Sequence, residues 1–168
     1  MAGLIFFGIF PALMTFAAAY DLTTMTIPNR LTAAVAVAFL VVAVLCGMPL
    51  SEIALHIAAG LAVLVLTFAM FTAGWVGGGD AKLAAAIALW LGFADLLDYL
   101  MLASILGGLL TLGLLAARRY PLPRPLVSLP WAMRLHAPET GIPYGIALAA
   151  AAVVILPHAE VLLRAYPG

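Results

Sequence analysis

Charge is what this sequence has least of. Only 8% of its 168 residues are charged, against about 25% in an ordinary soluble domain. Seven Lys plus Arg balance seven Asp plus Glu, so the formal net charge is zero. With 67% hydrophobic residues, the chain lacks the polar surface to cover a globule of its size in water, and a lipid bilayer is the expected surrounding. Seven scattered cations exclude a nucleic-acid binder working through a basic face, and the hydrophobicity excludes disorder. A single cysteine, Cys46, excludes an internal disulfide and a CxxC zinc or redox site. His56, His136 and His158 are far apart and show no HExxH spacing, so neither a metal site nor a cofactor is expected.

What is present in quantity is apolar runs, separated by short stretches that hold nearly every charge, Pro or Gly cluster. Six read as spanning helices: Leu4–Tyr20, Leu31–Cys46, Ile53–Ala73, Ala81–Phe93, Tyr99–Ala117 and Ile142–Leu156. No alternation of polar and apolar residues supports barrel strands. The fold class expected is therefore all-α, a polytopic membrane bundle of six transmembrane helices forming one domain over residues 1–168. The fourth and sixth runs are short for a crossing of about 20 residues, which predicts that they tilt, borrow flanking residues or pack inside the bundle. A signal peptide ending near Ala17–Ala19 is the rival reading of the first run, but Met1–Ile5 lacks a basic region.

Lys and Arg set the orientation. With the N-terminus outside, the first, third and fifth loops are cytoplasmic and carry Arg30, Lys82, Arg118, Arg119, Arg124 and Arg134, leaving Arg164 alone outside. That orientation puts Asp21 and Asp80 on the cytoplasmic side and Asp95 and Asp98, read as a solvated turn, on the other. The fifth loop, 118–141, holds Pro121, Pro123, Pro125, Pro130 and Pro138, a density that blocks continuous helix. Its middle, with Trp131 beside Arg134, suits either a segment at headgroup level or an exposed linker. Alanines at 84, 85, 86 and 88 and Gly107-Gly108 fit close helix packing. Trp75, Trp90 and Trp131 lie near segment ends, where aromatic belts form.

Ionisable groups at the edge of a spanning segment are costly and default to a functional reading. Asp21 and Asp80, 59 positions apart in sequence, each stand where an apolar run meets the cytoplasmic interface. Brought together, two carboxylates share a proton, so one takes a proton from water while the other donates to a peptide carbonyl. The plain alternative makes each a solvated helix-end residue, with Asp80 capping its helix. Before Asp80, Gly77-Gly78-Gly79 removes three side chains and permits close approach of another backbone, such as a peptide substrate. After Asp21, Pro28 disfavours helix at Ile27, and Asn29 is a good N-cap for the next helix.

The pattern Asp21, Ile27-Pro28-Asn29, Gly77-Gly78-Gly79-Asp80-Ala81-Lys82 and Ile142-Pro143-Tyr144-Gly145-Ile146-Ala147 resembles the type IV prepilin peptidase family, the GxGD aspartic peptidases. Within it, the chain is most similar to the short members of tight-adherence pilus systems. The resemblance implies catalytic roles for Asp21 and Asp80 and cleavage of the short basic leader of prepilins and pilin-like precursors at the cytoplasmic face of the bacterial inner membrane. It also implies that Lys82 fills the family's lysine position, either holding Asp80 ionised or stabilising the loop. Larger relatives add an N-terminal extension with paired CxxC motifs and methyltransferase activity, so peptidase activity without N-methylation is expected. Two alternatives remain at this level. One is a small transport or pilus-assembly subunit whose carboxylates bind a cation or hold helices together; the other is a GxGD protease with a different substrate.

Overall fold

The structure, a computed structural model, describes residues 2–159, with side chains from residue 8 onward. All its regular elements are helical: α1 (Ala2–Thr24), α2 (Asn29–Leu45), α3 (Leu50–Thr72), α4 (Gly78–Leu91), α5 (Leu96–Ala117), α6 (Arg124–Val127), α7 (Pro130–His136) and α8 (Tyr144–Ile155), ending in a 3₁₀ turn at Leu156–His158. Arg164 and Met1 lie outside the described residues.

The breaks follow local chemistry. Past α1, Met25 adopts a left-handed φ of 57° and its N–H closes the last turn on the Asp21 carbonyl at 2.8 Å; Pro28 then prevents helix at Ile27. Gly92 ends α4 at φ 64°, and a Cβ there would lie 2.9 Å from the His56 ring, so only glycine turns the chain at that point.

Among the described residues, two helices, α3 and α5, are long and apolar enough to cross a membrane, while α2 and the α8 segment are shorter apolar helices. Leu97, Met101, Ile105, Leu109, Leu112 and Leu115 of α5 are all exposed. An apolar face of that extent belongs against lipid or another protein.

The two short runs form the inside of the bundle. α4 packs on α3, α2 and α8, and α8 packs on α1 and α5 as well as α4. Ala81, Leu83 through Ala88, Trp90 and Leu91 are buried on α4, as are Gly145, Ala147, Ala149, Ala151 and Ala152 on α8. α4 is enclosed along most of its length and apolar nearly all round, whereas Tyr144, Ala150, Val153 and Val154 leave one side of α8 exposed; small side chains let neighbouring backbones close in. Consecutive α2 and α3 barely touch each other; both lean on α4 instead.

Two expectations are corrected. Trp90 does not sit in an interfacial belt: α4 is interior, so its end reaches the core rather than the headgroups. The ring is fully buried, 4.8 Å from Phe10 and 6.0 Å from Phe39 between centroids, and its Nε1 donates to the Val35 carbonyl at 3.0 Å. The proline-rich connection is likewise not irregular throughout: it folds into α6 and α7, while most of its residues stay exposed. Pro125 and Pro130 sit in the first turns of α6 and α7, where the missing N–H costs nothing, and α7 packs on α1.

Trp90→Ala should destabilise the bundle by about 3–5 kcal/mol, read as a lower melting temperature of the purified protein in detergent.

Candidate active site

On α1 the buried residues Phe10, Met14, Ala17 and Asp21 recur at helical spacing, so the carboxylate ends an otherwise apolar stripe turned to the interior. Asp21 is only 4% exposed. Its Oδ2 accepts the Gly145 N–H at 2.8 Å. Gly145 is in the first turn of α8, whose amides have no partner within the helix and carry the positive end of its dipole. A Cβ on residue 145 would stand 2.8 Å from Asp21 Oδ2 and 2.8 Å from Ile27 Cδ1, so this contact requires glycine.

Asp80 stands in the first turn of α4, which begins at Gly78, three residues before the apolar run suggested; the helix N-cap is Gly77, not Asp80. The Gly77 N–H faces the Asp80 carboxylate, a back-bond of the kind a capping box makes. Asp21, Met25, Thr26, Ile27, Gly77, Gly78, Gly79 and Asp80 together line one open cavity of about 320 Å³. The two aspartates therefore share a site, on two helices, one residue outside the first and fourth apolar runs.

The glycine run has a structural use within the protein. A Cβ on Gly79 would lie 3.1 Å from Ile27 Cβ and one on Gly78 would lie 3.2 Å from the Phe71 ring, so these two absences let the 77–79 turn close on the 25–27 turn and on α3. Gly77 is exposed at the cavity; its added Cβ would meet Asp80 Oδ2 at 2.8 Å.

Burial, and secondly the charge of Asp21, push the Asp80 carboxyl up to about 7, against the lowering effect of the Gly77 N–H. Asp21 is also raised by burial, with the Gly145 N–H opposing. Both effects are those of carboxylates sharing a poorly hydrated site.

Lys82 does not hold Asp80 ionised. Its ammonium is exposed and donates to Asn29 Oδ1 at 2.9 Å, and Asp80 shifts upward, opposite to what a paired cation would produce. The lysine instead staples the first turn of α4 to that of α2. Asn29 is not the N-cap of α2: Pro28 takes that position without a side-chain hydrogen bond, and Asn29 opens the helix itself. Pro28 and Asn29 face a separate surface depression with Phe16, Tyr20 and Arg30. Of the expected site residues, Asp21, Asp80 and Gly77–Gly79 thus converge, while Pro28, Asn29 and Lys82 brace the turn beside them.

Sequence reasoning assigned no site role to Met25, Thr26 or Gly145. The first two follow Asp21 by four and five positions. Gly145 follows Pro143-Tyr144, and proline just before a helix marks an N-terminus, but nothing local says which carboxylate that terminus meets.

The sequence profile of the type IV leader peptidase family matches residues 8–112, a span that includes Asp21, Asp80 and Lys82 and stops short of α8. No curated protein and no solved structure matches the chain.

An acid raised from 3.8 to about 7 on folding leaves the native state holding a proton that the unfolded chain has released between those values. Stability is then fully present below about pH 4 and falls as pH rises through 7. Melting temperature measured against pH should show that decline in the wild type, and Asp80→Asn should flatten it.

Proposed function

The chain belongs to the type IV leader peptidase family, a family of membrane peptidases, and from that premise we propose that it is an intramembrane aspartic endopeptidase using Asp21 and Asp80 as a dyad. The observation that carries the reading is the single cavity lined by both aspartates. Asp80 has the higher tendency to hold a proton, whereas Asp21 receives an N–H from a helix terminus, which favours its charged form.

In the proposed reaction, a water oxygen attacks the carbonyl carbon of the scissile peptide bond. Asp21 takes the water's proton, and Asp80 gives its own to the carbonyl oxygen, producing a neutral tetrahedral diol. The C–N bond then breaks: the proton on Asp21 goes to the departing amine, and a hydroxyl proton of the diol returns to Asp80 as the new carboxyl group forms. Neither charge nor proton is consumed over the cycle. Proton transfers of this kind contribute about 100-fold to 10,000-fold to rate.

The substrates proposed are prepilins and pilin-like precursors of the tight-adherence type, cut between a short basic leader and an apolar helix. Such a leader stays in the cytoplasm, so the dyad belongs at the inner rim of the membrane. Six of the seven cations, Arg30, Lys82, Arg118, Arg119, Arg124 and Arg134, support that side under the positive-inside rule, with six crossings and an outer N-terminus. Peptidase activity without N-methylation fits a sequence with one cysteine and no CxxC pair.

Co-expression with a precursor from the same gene neighbourhood, read by the size of the pilin product, tests the proposal. Asp21→Asn and Asp80→Asn should each lower cleavage at least about 100-fold while the protein still inserts; a single variant that cuts at the wild-type rate would remove the dyad. Gly145→Ala, by displacing Asp21 or Ile27, should lower cleavage by about 100-fold, the scale of a misplaced catalytic group.

A further inference from the structure

The proline-rich connection between α5 and α8 has no part in the chemistry above, lies beyond the stretch matching the family, and nevertheless leads to the surroundings of Asp21 by two routes. Arg134 of α7 donates through Nη1 to the Thr23 carbonyl at 3.0 Å, two residues past Asp21 at the end of α1. Arg118, at the end of α5, donates through Nε to the Leu135 carbonyl at 2.9 Å and through Nη2 to the Thr140 and Gly141 carbonyls, both at 3.0 Å. Four residues after Gly141 comes Gly145, whose N–H meets Asp21. Between them Pro143 is buried, and its fixed φ transmits the position of one end to the other.

We propose that Arg118 and Arg134 are positioning residues for Asp21, the 118–143 connection acting as a strap that holds both the end of α1 and the Gly145 donor in place. The assignment of a job to Asp21 rests on the peptidase reading; the strap itself rests on the five hydrogen bonds. Carbonyls at a helix C-terminus lack partners and carry partial negative charge, and a guanidinium is the side chain suited to gather several in one plane. The strap has its own apolar seat: Leu122, Leu126 and Trp131 surround a cavity of about 130 Å³ against Leu114 of α5. Charged side chains toward this end of α1 are Asp80 and Lys82 from α4, Arg134 from α7 and Arg30 of α2 beside Tyr20. α8 supplies the Gly145 N–H and no charge.

The test uses the full-length protein in detergent, with Arg118→Met, Arg134→Met, Arg118→Lys and, as a control, Arg119→Met, an exposed neighbouring cation. Two measurements are made on each: cleavage kinetics of a precursor against pH, and the pH midpoint at which a carbodiimide labels Asp21, read by mass spectrometry. The Met variants should lose about tenfold in kcat with KM unchanged, the worth of one hydrogen bond to a charged group. Their acid limb and labelling midpoint should both move up by about one pH unit, because Asp21 without its donor holds a proton more tightly. Arg118→Lys should recover part of both effects, and Arg119→Met should match the wild type. Unmoved midpoints in both Met variants, or a loss of kcat that only tracks the amount of folded protein, would overturn the strap. If the wild type cuts no precursor but the midpoints move as stated, the peptidase reading falls and the strap stands.

Discussion

A backbone amide 2.8 Å from a carboxylate oxygen, with no room for a Cβ between them, is the contact on which the arrangement of this bundle depends. Gly145 brings the start of α8 against the end of α1, and Ile27 fills the third side of the same contact. Ile27 is also what Gly79 closes upon, so one isoleucine side chain is the common surface for the two helices bearing aspartates and for α8. A side chain at 145 would force Asp21 or Ile27 to shift, and one at 79 would press on Ile27. The aspartates share a cavity because three backbones are allowed unusually near one another, not because the carboxylates attract.

That constraint also explains why the two shortest apolar runs are interior. α4 and α8 each begin at the site, and each runs inward among longer or more exposed neighbours. A helix of 14 or 12 residues is about 21 or 18 Å long, too short to reach across a bilayer core of about 30 Å by itself. Packed among α1, α2, α3 and α5, α4 is buried along most of its length and α8 along one side. Their composition follows: alanine and glycine, which pack closely, rather than the leucines and isoleucines that cover α5.

Much of this was legible in the sequence because it depends on periodicity and on breaks. The six apolar runs became helices with ends shifted by a few residues, and the charged breaks marked the ends where the aspartates lie. The misreadings share one cause: they concern partners distant in sequence. Trp90 reads as a belt residue until its neighbours Phe10 and Val35 are known. Asn29 reads as a cap until Lys82, 53 positions on, takes its side-chain oxygen. The glycine run reads as room for a substrate backbone, and part of that room is filled by Ile27 and Phe71 of the protein itself. Gly145 carries a recognisable helix-start pattern, but only the fold brings it to Asp21, 124 positions earlier.

The few polar side chains are distributed unevenly, and the unevenness follows from the same geometry. At the site end, Lys82 braces α4 to α2, Arg134 holds the end of α1, and Arg118 gathers three carbonyls of the strap. Each bonds a neutral oxygen and leaves the carboxylates alone. A cation placed directly on either aspartate would lower its pKa and abolish the shared proton that a water-activating pair requires. Fixing the backbone around the acids, instead of pairing the acids themselves, holds the geometry while leaving Asp80 able to keep a proton near neutral pH. At the opposite end, His56 Nδ1 bonds the Leu89 carbonyl at 2.7 Å and the ring stacks on Phe39, which secures α3 to α4. Cations bonding neutral oxygens at one end and an imidazole bonded to a carbonyl at the other hold the same bundle, and at the first end the two aspartates line one open cavity.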